Sequence, residues 1–335
     1  MKHFNYKKNR RDGGTPVRIT ERRNPRSRGL HRKSTREILR IINREDAKVA
    51  RAVAREIPAM ARAVEAIVRA LRRGGRLIYV GAGTSGRLAT LDAAEIPPTF
   101  GVSSKMVQAV IAGGRRALTK AVEGAEDSTA AGARDLRAKR VTARDVVVGI
   151  TASGTTPYVL GALGYARRRG AVTIALTANR GTPVGRAARI TIAPQTGPEV
   201  VTGSTRMKAG TAQKLVLNML STTAMVRLGR VYDNWMIGVA LTNRKLRERG
   251  VRILCQATGA SVAEAERALR QVGDRLPVAL EKLKKRVSGE GVEVRSKAVS
   301  DQLSVVIEPK MQEGRLKPAP TQRTTGKGRD GQVSD

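Results

Sequence analysis

Apolar and polar residues repeat along this chain in two different periods. Between residues 34 and 72 the apolar positions recur every three or four residues, as on one face of a helix. Ser34 with Glu37 three positions on is a capping-box start, and Ile38, Leu39, Ile41 and Ile42 form the apolar face behind it. A second helical stretch carries Val53, Ile57, Met60, Val64, Ile67, Val68 and Leu71, and Arg73-Gly74-Gly75 ends it. Then the period changes. Short unbroken apolar runs lie at 77–80 (LIYV), 106–112 (MVQAVIA), 146–150 (VVVGI), 172–176 (VTIAL) and 190–193 (ITIA). Such runs read as strands covered on both faces. Helical patterns at 86–94, 156–169 and 184–188 separate them. The alternation predicts an α/β fold built on a doubly wound parallel sheet, with helices ahead of it.

From Ser204 a nearly uncharged segment reads as a buried helix, which also suits a subunit interface. Residues 262–284 read as small amphipathic helices, with Ala263, Ala265, Ala268 and Leu269 on one side. After about residue 310 the chain is rich in Gly, Pro, Lys and Gln, a composition that favours disorder. The expected organisation is a disordered basic arm (1–33), an α/β domain with its leading helices (34–250), a small helical region (251–300) and a disordered tail (301–335).

Composition narrows the chemistry. Of 335 residues 40% are hydrophobic but only 2% aromatic, so the core is aliphatic. No apolar run reaches the roughly 18 residues of a membrane span, and the first residues lack the apolar stretch of a secretory signal. The single cysteine, Cys255, excludes an internal disulfide framework and fits a reducing cytoplasm. The only histidines are His3 and His31, both in the arm. Proton chemistry must therefore fall to carboxylates, hydroxyls and backbone amides. The net charge of +36 is extreme. Residues 1–33 hold twelve Lys/Arg against Asp12 and Glu21, so the arm suits non-specific polyanion contact and reads as dispensable for catalysis.

Two strand ends share a design. LIYV runs into GAGTSGR (81–87) and VVVGI runs into TASGTTP (151–157). Each is a strand, then glycine with hydroxyl residues, then a helix start, which aims backbone N–H groups at an anion. Gly81, Gly83 and Gly86 match a dinucleotide fingerprint, but the acidic residue expected after the second strand is missing, and Gly113-Gly114-Arg115-Arg116 stands there. The Ser/Thr content favours a monophosphate, with Thr84, Ser85, Ser153, Thr155 and Thr156 as its ligands. Glu95, in GAGTSGRLATLDAAEIPP (81–98), precedes Pro97-Pro98, and Pro97 is expected to end the helix. A carboxylate at a helix C-terminus lacks help from the dipole, which suits a general acid. Glu126 follows 31 positions later in AVEGAEDS (121–128), where capping of the next helix is the plain alternative.

These segments, with EVVTGSTRMKAGTAQKLVLNMLST (199–222), closely resemble the N-acetylmuramic acid 6-phosphate etherases, of the sugar isomerase (SIS) superfamily. The similarity runs from about Thr20 to about residue 285. The resemblance implies a SIS-type fold, a cytoplasmic homodimer and no metal or redox cofactor. It implies a lyase of amino-sugar and peptidoglycan recycling, which converts N-acetylmuramic acid 6-phosphate into N-acetylglucosamine 6-phosphate and D-lactate. It places the catalytic pair on Glu95 and Glu126, with Glu199, Ser204 and Lys208 completing the sugar pocket. Thr155 stands where the family usually has Arg, Ile96 replaces a usual Cys, and His31 stands where an acidic residue is usual. Two other readings share the phosphate loops: a non-catalytic sugar-phosphate regulator and a sugar-phosphate isomerase. Neither requires both glutamates.

Overall fold

A computed structural model describes residues 18–287. Three helices come first: α1 (Thr35–Asp46), α2 (Val49–Ala54) and α3 (Ile57–Arg72). Strands and helices then alternate as β1 (Leu77–Gly81), α4 (Gly83–Phe100), β2 (Val107–Ile111), α5 (Thr129–Ala138), β3 (Val146–Thr151), α6 (Pro157–Arg168), β4 (Val172–Thr177), α7 (Pro183–Ala187) and β5 (Ile190–Ile192). Next come α8 (Lys208–Arg227) and a hairpin of β6 (Val231–Tyr232) and β7 (Trp235–Met236). Helices α9 (Arg244–Thr258), α10 (Val262–Gln271) and α11 (Leu276–Val287) follow.

The five expected strands all form, and they pair in parallel in the order β2-β1-β3-β4-β5. One sheet face, with Leu77, Tyr79, Val146, Val148 and Ile150, packs on Ile67 of α3, Ala93 of α4 and Leu217 and Leu220 of α8. The other, with Ile78, Val80, Val147 and Ala175, packs on Leu136 of α5 and Val159 and Leu163 of α6. Two covered faces are why the strands read as unbroken apolar runs. Ile253, Leu254, Leu269, Leu276 and Leu280 build a separate small core at the C-terminal side.

Strand order reverses between β1 and β3. The chain steps from β1 outward to β2, and from β3 the other way to β4. The connections leaving these neighbours diverge to opposite faces and open a crevice at their C-terminal ends, the usual ligand position in open α/β sheets.

The structure corrects several expectations. Residues 18–33 are not loose. They form three 3-10 turns, Ile19–Glu21, Pro25–Ser27 and Leu30–Arg32, with Thr20 and Asn24 buried. Asn24 Nδ2 donates to Glu45 Oε2 (2.9 Å) and to the Pro198 carbonyl (3.0 Å), which ties this segment to α1 and to the chain after β5. Removing all of 1–33 therefore removes part of the folded unit. The remainder of the arm and the tail after residue 310 lie outside the described residues. The second helical stretch is two helices, because the chain restarts at Ile57 with Pro58 in the first turn, leaving Ile57 exposed. Ala263 is also exposed, whereas Ala265, Ala268 and Leu269 are buried as expected. The capping box of α1 forms, with Ser34 N–H donating to Glu37 Oε2 at 2.8 Å.

The largest correction concerns Pro97. Helix α4 runs through Pro97 and Pro98 to Phe100, and Gly101 caps it with φ 59°. Ile96 and Phe100 are buried in the core. A Cβ at Gly101 would lie 1.9 Å from the Gly238 carbonyl oxygen, so the segment after α8 is pressed against this last turn. Burial and close packing hold the turn despite the lost N–H donors. Glu95 is therefore inside the helix, and the dipole argument made for it does not apply.

Candidate active site

The two glycine-hydroxyl loops leave the adjacent strands β1 and β3, whose register pairs Gly81 with Ile150. Both helices that follow lack a side-chain cap. The N-cap of α4 is Ala82, and the Thr156 hydroxyl at the start of α6 is spent on Thr151 at 2.7 Å. Elsewhere α1, α5, α7, α9 and α10 are capped by the side chains of Ser34, Ser128, Thr182, Asn243 and Ser261, while α2 and α3 also lack a side-chain cap. The uncapped first turn of α4 is thus kept open at the crevice, with its positive dipole end outward.

The second loop is a hydroxyl network. Thr151 Oγ1 lies 3.2 Å from Ser153 Oγ, and Thr155 donates to Ser153 Oγ through its N–H (3.3 Å) and its hydroxyl (3.2 Å). Gly154 closes the loop at φ 77°, and a Cβ there would fall 2.4 Å from Thr182 Cγ2. Gly154→Ala is expected to cost about 1–3 kcal/mol of stability, measured by urea unfolding, because both the left-handed backbone and the contact oppose it. In the first loop Thr84 is half-buried, and Ser85 is buried with its hydroxyl donating to Gln213 Oε1 on α8 (2.9 Å). Gln213 Nε2 is buried and has no partner among the described residues.

Glu95 is exposed on α4, one turn beyond buried Asp92. Asp92 accepts hydrogen bonds from Tyr79 Oη (2.9 Å) and Ser221 Oγ (3.1 Å). Burial pushes the Asp92 carboxyl up, and the nearby charge of Glu95 adds to this. The two hydrogen bonds and Lys214 on α8 act in the opposite direction. Burial and the Asp92 charge also raise the Tyr79 phenol well above its ordinary value. Asp92, Tyr79, Ser221, Gln213 and Thr151 were not singled out from sequence. Asp92 sits in LDAAE and looks like any polar helix residue until α8 is placed against it.

Glu126 is exposed, and its carbonyl accepts the N–H of Tyr158 in the first turn of α6 (3.0 Å). This bond ties Glu126 to the TASGTT loop. The capping duty falls instead to Ser128, whose hydroxyl accepts the Ala131 N–H at 3.1 Å.

Two residues expected in the sugar pocket are spent on the protein itself. Glu199, with no exposed surface, accepts the N–H groups of Lys208 (3.0 Å) and Ala209 (2.9 Å) and so caps α8. Burial raises its carboxyl pKa against the pull of those two bonds and of Lys208. Lys208, 1% exposed, places Nζ 2.6 Å from Glu45 Oε2. Ser204 is half-buried in the turn before α8, and its N–H donates to the Val201 carbonyl at 3.0 Å.

Comparison with known proteins now bears on this geometry. Residues 59–167 match the glucokinase regulatory protein N-terminal SIS domain family. The N-acetylmuramic acid 6-phosphate etherase of Yersinia pestis (strain Pestoides F) is 56% identical over 272 residues, covering 81% of this chain and 92% of the relative. That of Yersinia pseudotuberculosis (serotype O:1b, strain IP 31758) matches to the same extent. The chain belongs to the N-acetylmuramic acid 6-phosphate etherase family. A match over 81% of this chain takes in the positions of both loops, both glutamates and α8. Among solved structures, a phosphoheptose isomerase from Neisseria gonorrhoeae aligns over 57% of this chain and 98% of its own, with 19% identity and a TM-score of 0.45, a likeness too loose to bear on function. No described helix of this etherase-family chain is long and apolar enough to cross a membrane.

Proposed function

We propose how this chain carries out the family's reaction and which residues do so. The reaction is that of a carbon–oxygen lyase: the D-lactyl ether of N-acetylmuramic acid 6-phosphate is cleaved to N-acetylglucosamine 6-phosphate and D-lactate. The 56% identity over most of both chains carries this conclusion, and the site geometry is compatible with it. The 6-phosphate docks at the crevice between β1 and β3. The open first turn of α4 and the hydroxyls of Thr84, Ser153 and Thr155 meet it, while Ser85 and Thr156 hold the loops through Gln213 and Thr151. Thr155 replaces the fixed cation usual in the family, so backbone amides carry more of the anion binding here.

Opening of the sugar ring exposes a C1 aldehyde, which acidifies the C2 proton. A base removes that proton, the electrons move into a C2–C3 double bond, and the C3–O bond breaks. The departing lactate oxygen takes a proton, and water then adds at C3. We assign the leaving-group proton to Glu95 and the C2 proton or the water to Glu126. Glu199 and Lys208 serve indirectly, by holding the first turn of α8, and Ser204 contacts the sugar. D-lactate release from the pure substrate, compared among the wild type, Glu95→Ala and Glu126→Ala, tests the assignment. Full activity in either variant would remove that glutamate from the mechanism.

Homodimer formation and a cytoplasmic setting complete the reading. Ser85 and Glu95 are ten residues apart on one helix, about 15 Å along its axis. That exceeds the span from a hexose 6-phosphate to its C3 oxygen. Glu126, by contrast, is held by its backbone carbonyl to the first turn of α6, next to the second loop of its own chain. The outer side of α8 offers Thr211, Met219, Thr222, Thr223 and Val226 to solvent, flanked by Lys214 and Arg227, a sparsely charged face on a chain of net charge +36. Leu91 on the neighbouring α4 is also exposed. A two-fold contact over this face lets Glu95 serve the partner's phosphate loops. Co-expressed Glu95→Gln and Glu126→Gln chains are then expected to recover about a quarter of wild-type activity, because half of randomly mixed dimers hold one intact site of two. No recovery above the two single variants would sink the shared site.

A further inference from the structure

A cavity lined by several charged side chains lies away from the hydroxyl loops. It has a volume of about 500 Å³ and opens beyond β5, between residues 195–198, the turn at Asn24–Arg26, and helix α2. The first turn of α8 separates it from the crevice. Lys208 lines the cavity, whereas a Cβ at Gly210 would lie 3.5 Å from Thr84 Cγ2, on the crevice side.

Its lining carries a large excess of positive charge. Arg26, Lys48, Arg51, Arg55 and Lys208 face a single carboxylate, Glu45. Glu45 is already engaged by Lys208, Lys48 and Arg26. Arg51 and Arg55 have no ion-pair partner among the described residues, although like charges four positions apart on a helix repel. Thr196 supplies an independent sign. It lines the cavity, it is 5% exposed, and its Oγ1 has no hydrogen-bond partner among the described residues. A buried hydroxyl left unmatched is unfavourable unless something else completes it.

We propose that this cavity is a second anion site, separate from the substrate crevice, that takes a small phosphorylated compound carrying at least two negative charges. Arg51 and Arg55 supply charge and forked donors, and Thr196 Oγ1 donates to a phosphate oxygen. Lys208 adds its field while remaining paired to Glu45. The volume suits a ligand of metabolite size.

The test is calorimetric titration of the full chain with inorganic pyrophosphate at about 0.15 M salt, where diffuse surface attraction is screened. The wild type is expected to bind one more equivalent per chain than the Arg51→Ser/Arg55→Ser double variant. This difference of one holds whether or not the hydroxyl loops also bind the probe, so the substrate-site assignment is judged separately by the total. Thr196→Val is expected to weaken the second equivalent at least about tenfold, the scale of one hydrogen bond to a charged group. It should do so with an unchanged or raised Tm, since the lost hydroxyl has no protein partner. Identical isotherms for the wild type and the double variant would overturn the proposal. So would a rise in KM for the etherase substrate in the double variant, which would make the cavity part of the substrate site.

Discussion

Glu95→Gln is expected to lower D-lactate release by about two to four orders of magnitude, the usual worth of a positioned general acid. The amide keeps the size and hydrogen-bonding shape of the side chain but cannot give a proton to the leaving lactate. Glu95 is exposed and makes no hydrogen bond to the fold among the described residues, so the variant should unfold at the same urea concentration as the wild type. That separates chemistry from stability. A loss in kcat with little change in KM would match a role confined to the transition state. Glu126→Gln should show a comparable loss. Near-normal turnover in Glu95→Gln would place the proton donor elsewhere, and Asp92, buried one turn earlier and raised by burial, would be the first residue to test.

Lys208→Met is expected to destabilise the fold by about 1.5–3 kcal/mol, because it removes one charged hydrogen bond from Glu45, which is only 3% exposed and keeps its bonds to Lys48, Arg26 and Asn24. The midpoint of urea unfolding should fall with an unchanged slope. Pairing it with Glu45→Gln should recover part of the loss, since the buried carboxylate that has lost its lysine is then neutral. The same pair sets an acid limit. Burial pushes the Glu45 carboxyl up, but hydrogen bonds from Lys208, Lys48 and Asn24 outweigh it and hold the pKa at about 2, against an ordinary value of 4.5. A folded-state pKa below the unfolded one stabilises the protein fully above the unfolded value. The stabilisation is then lost as pH falls from about 4.5 towards about 2. The Glu45→Gln variant should show a shallower loss of stability through that window.

The two glycine-hydroxyl loops and the five strands were readable because their signals are local. An apolar run, a glycine and a hydroxyl pair declare a strand end within ten residues, and a doubly wound α/β sheet follows from their alternation. The capping box at Ser34 is equally local. The motif 81–98 also carried the family resemblance, since it combines loop and glutamate in one stretch. Its own geometry was misread at Pro97, where local rules say that the helix stops. The turn survives because Phe100 and Ile96 are buried and Gly101 meets Gly238.

What local pattern could not convey was which polar residues would be taken out of water together. Glu45 reads as a surface carboxylate near the end of an amphipathic helix, yet it is bonded to Lys208, 163 positions away. Asn24 sits in a basic arm that looked loose, yet it is buried against both Glu45 and Pro198. Asp92 and Ser221 meet across 129 positions, and Ser85 and Gln213 across 128. Propensity and periodicity act over a few residues, so they settle elements, loops and their chemistry. Desolvation and charge pairing depend on distance in space, and these partners exist only once α1, α4 and α8 have been brought together on the sheet.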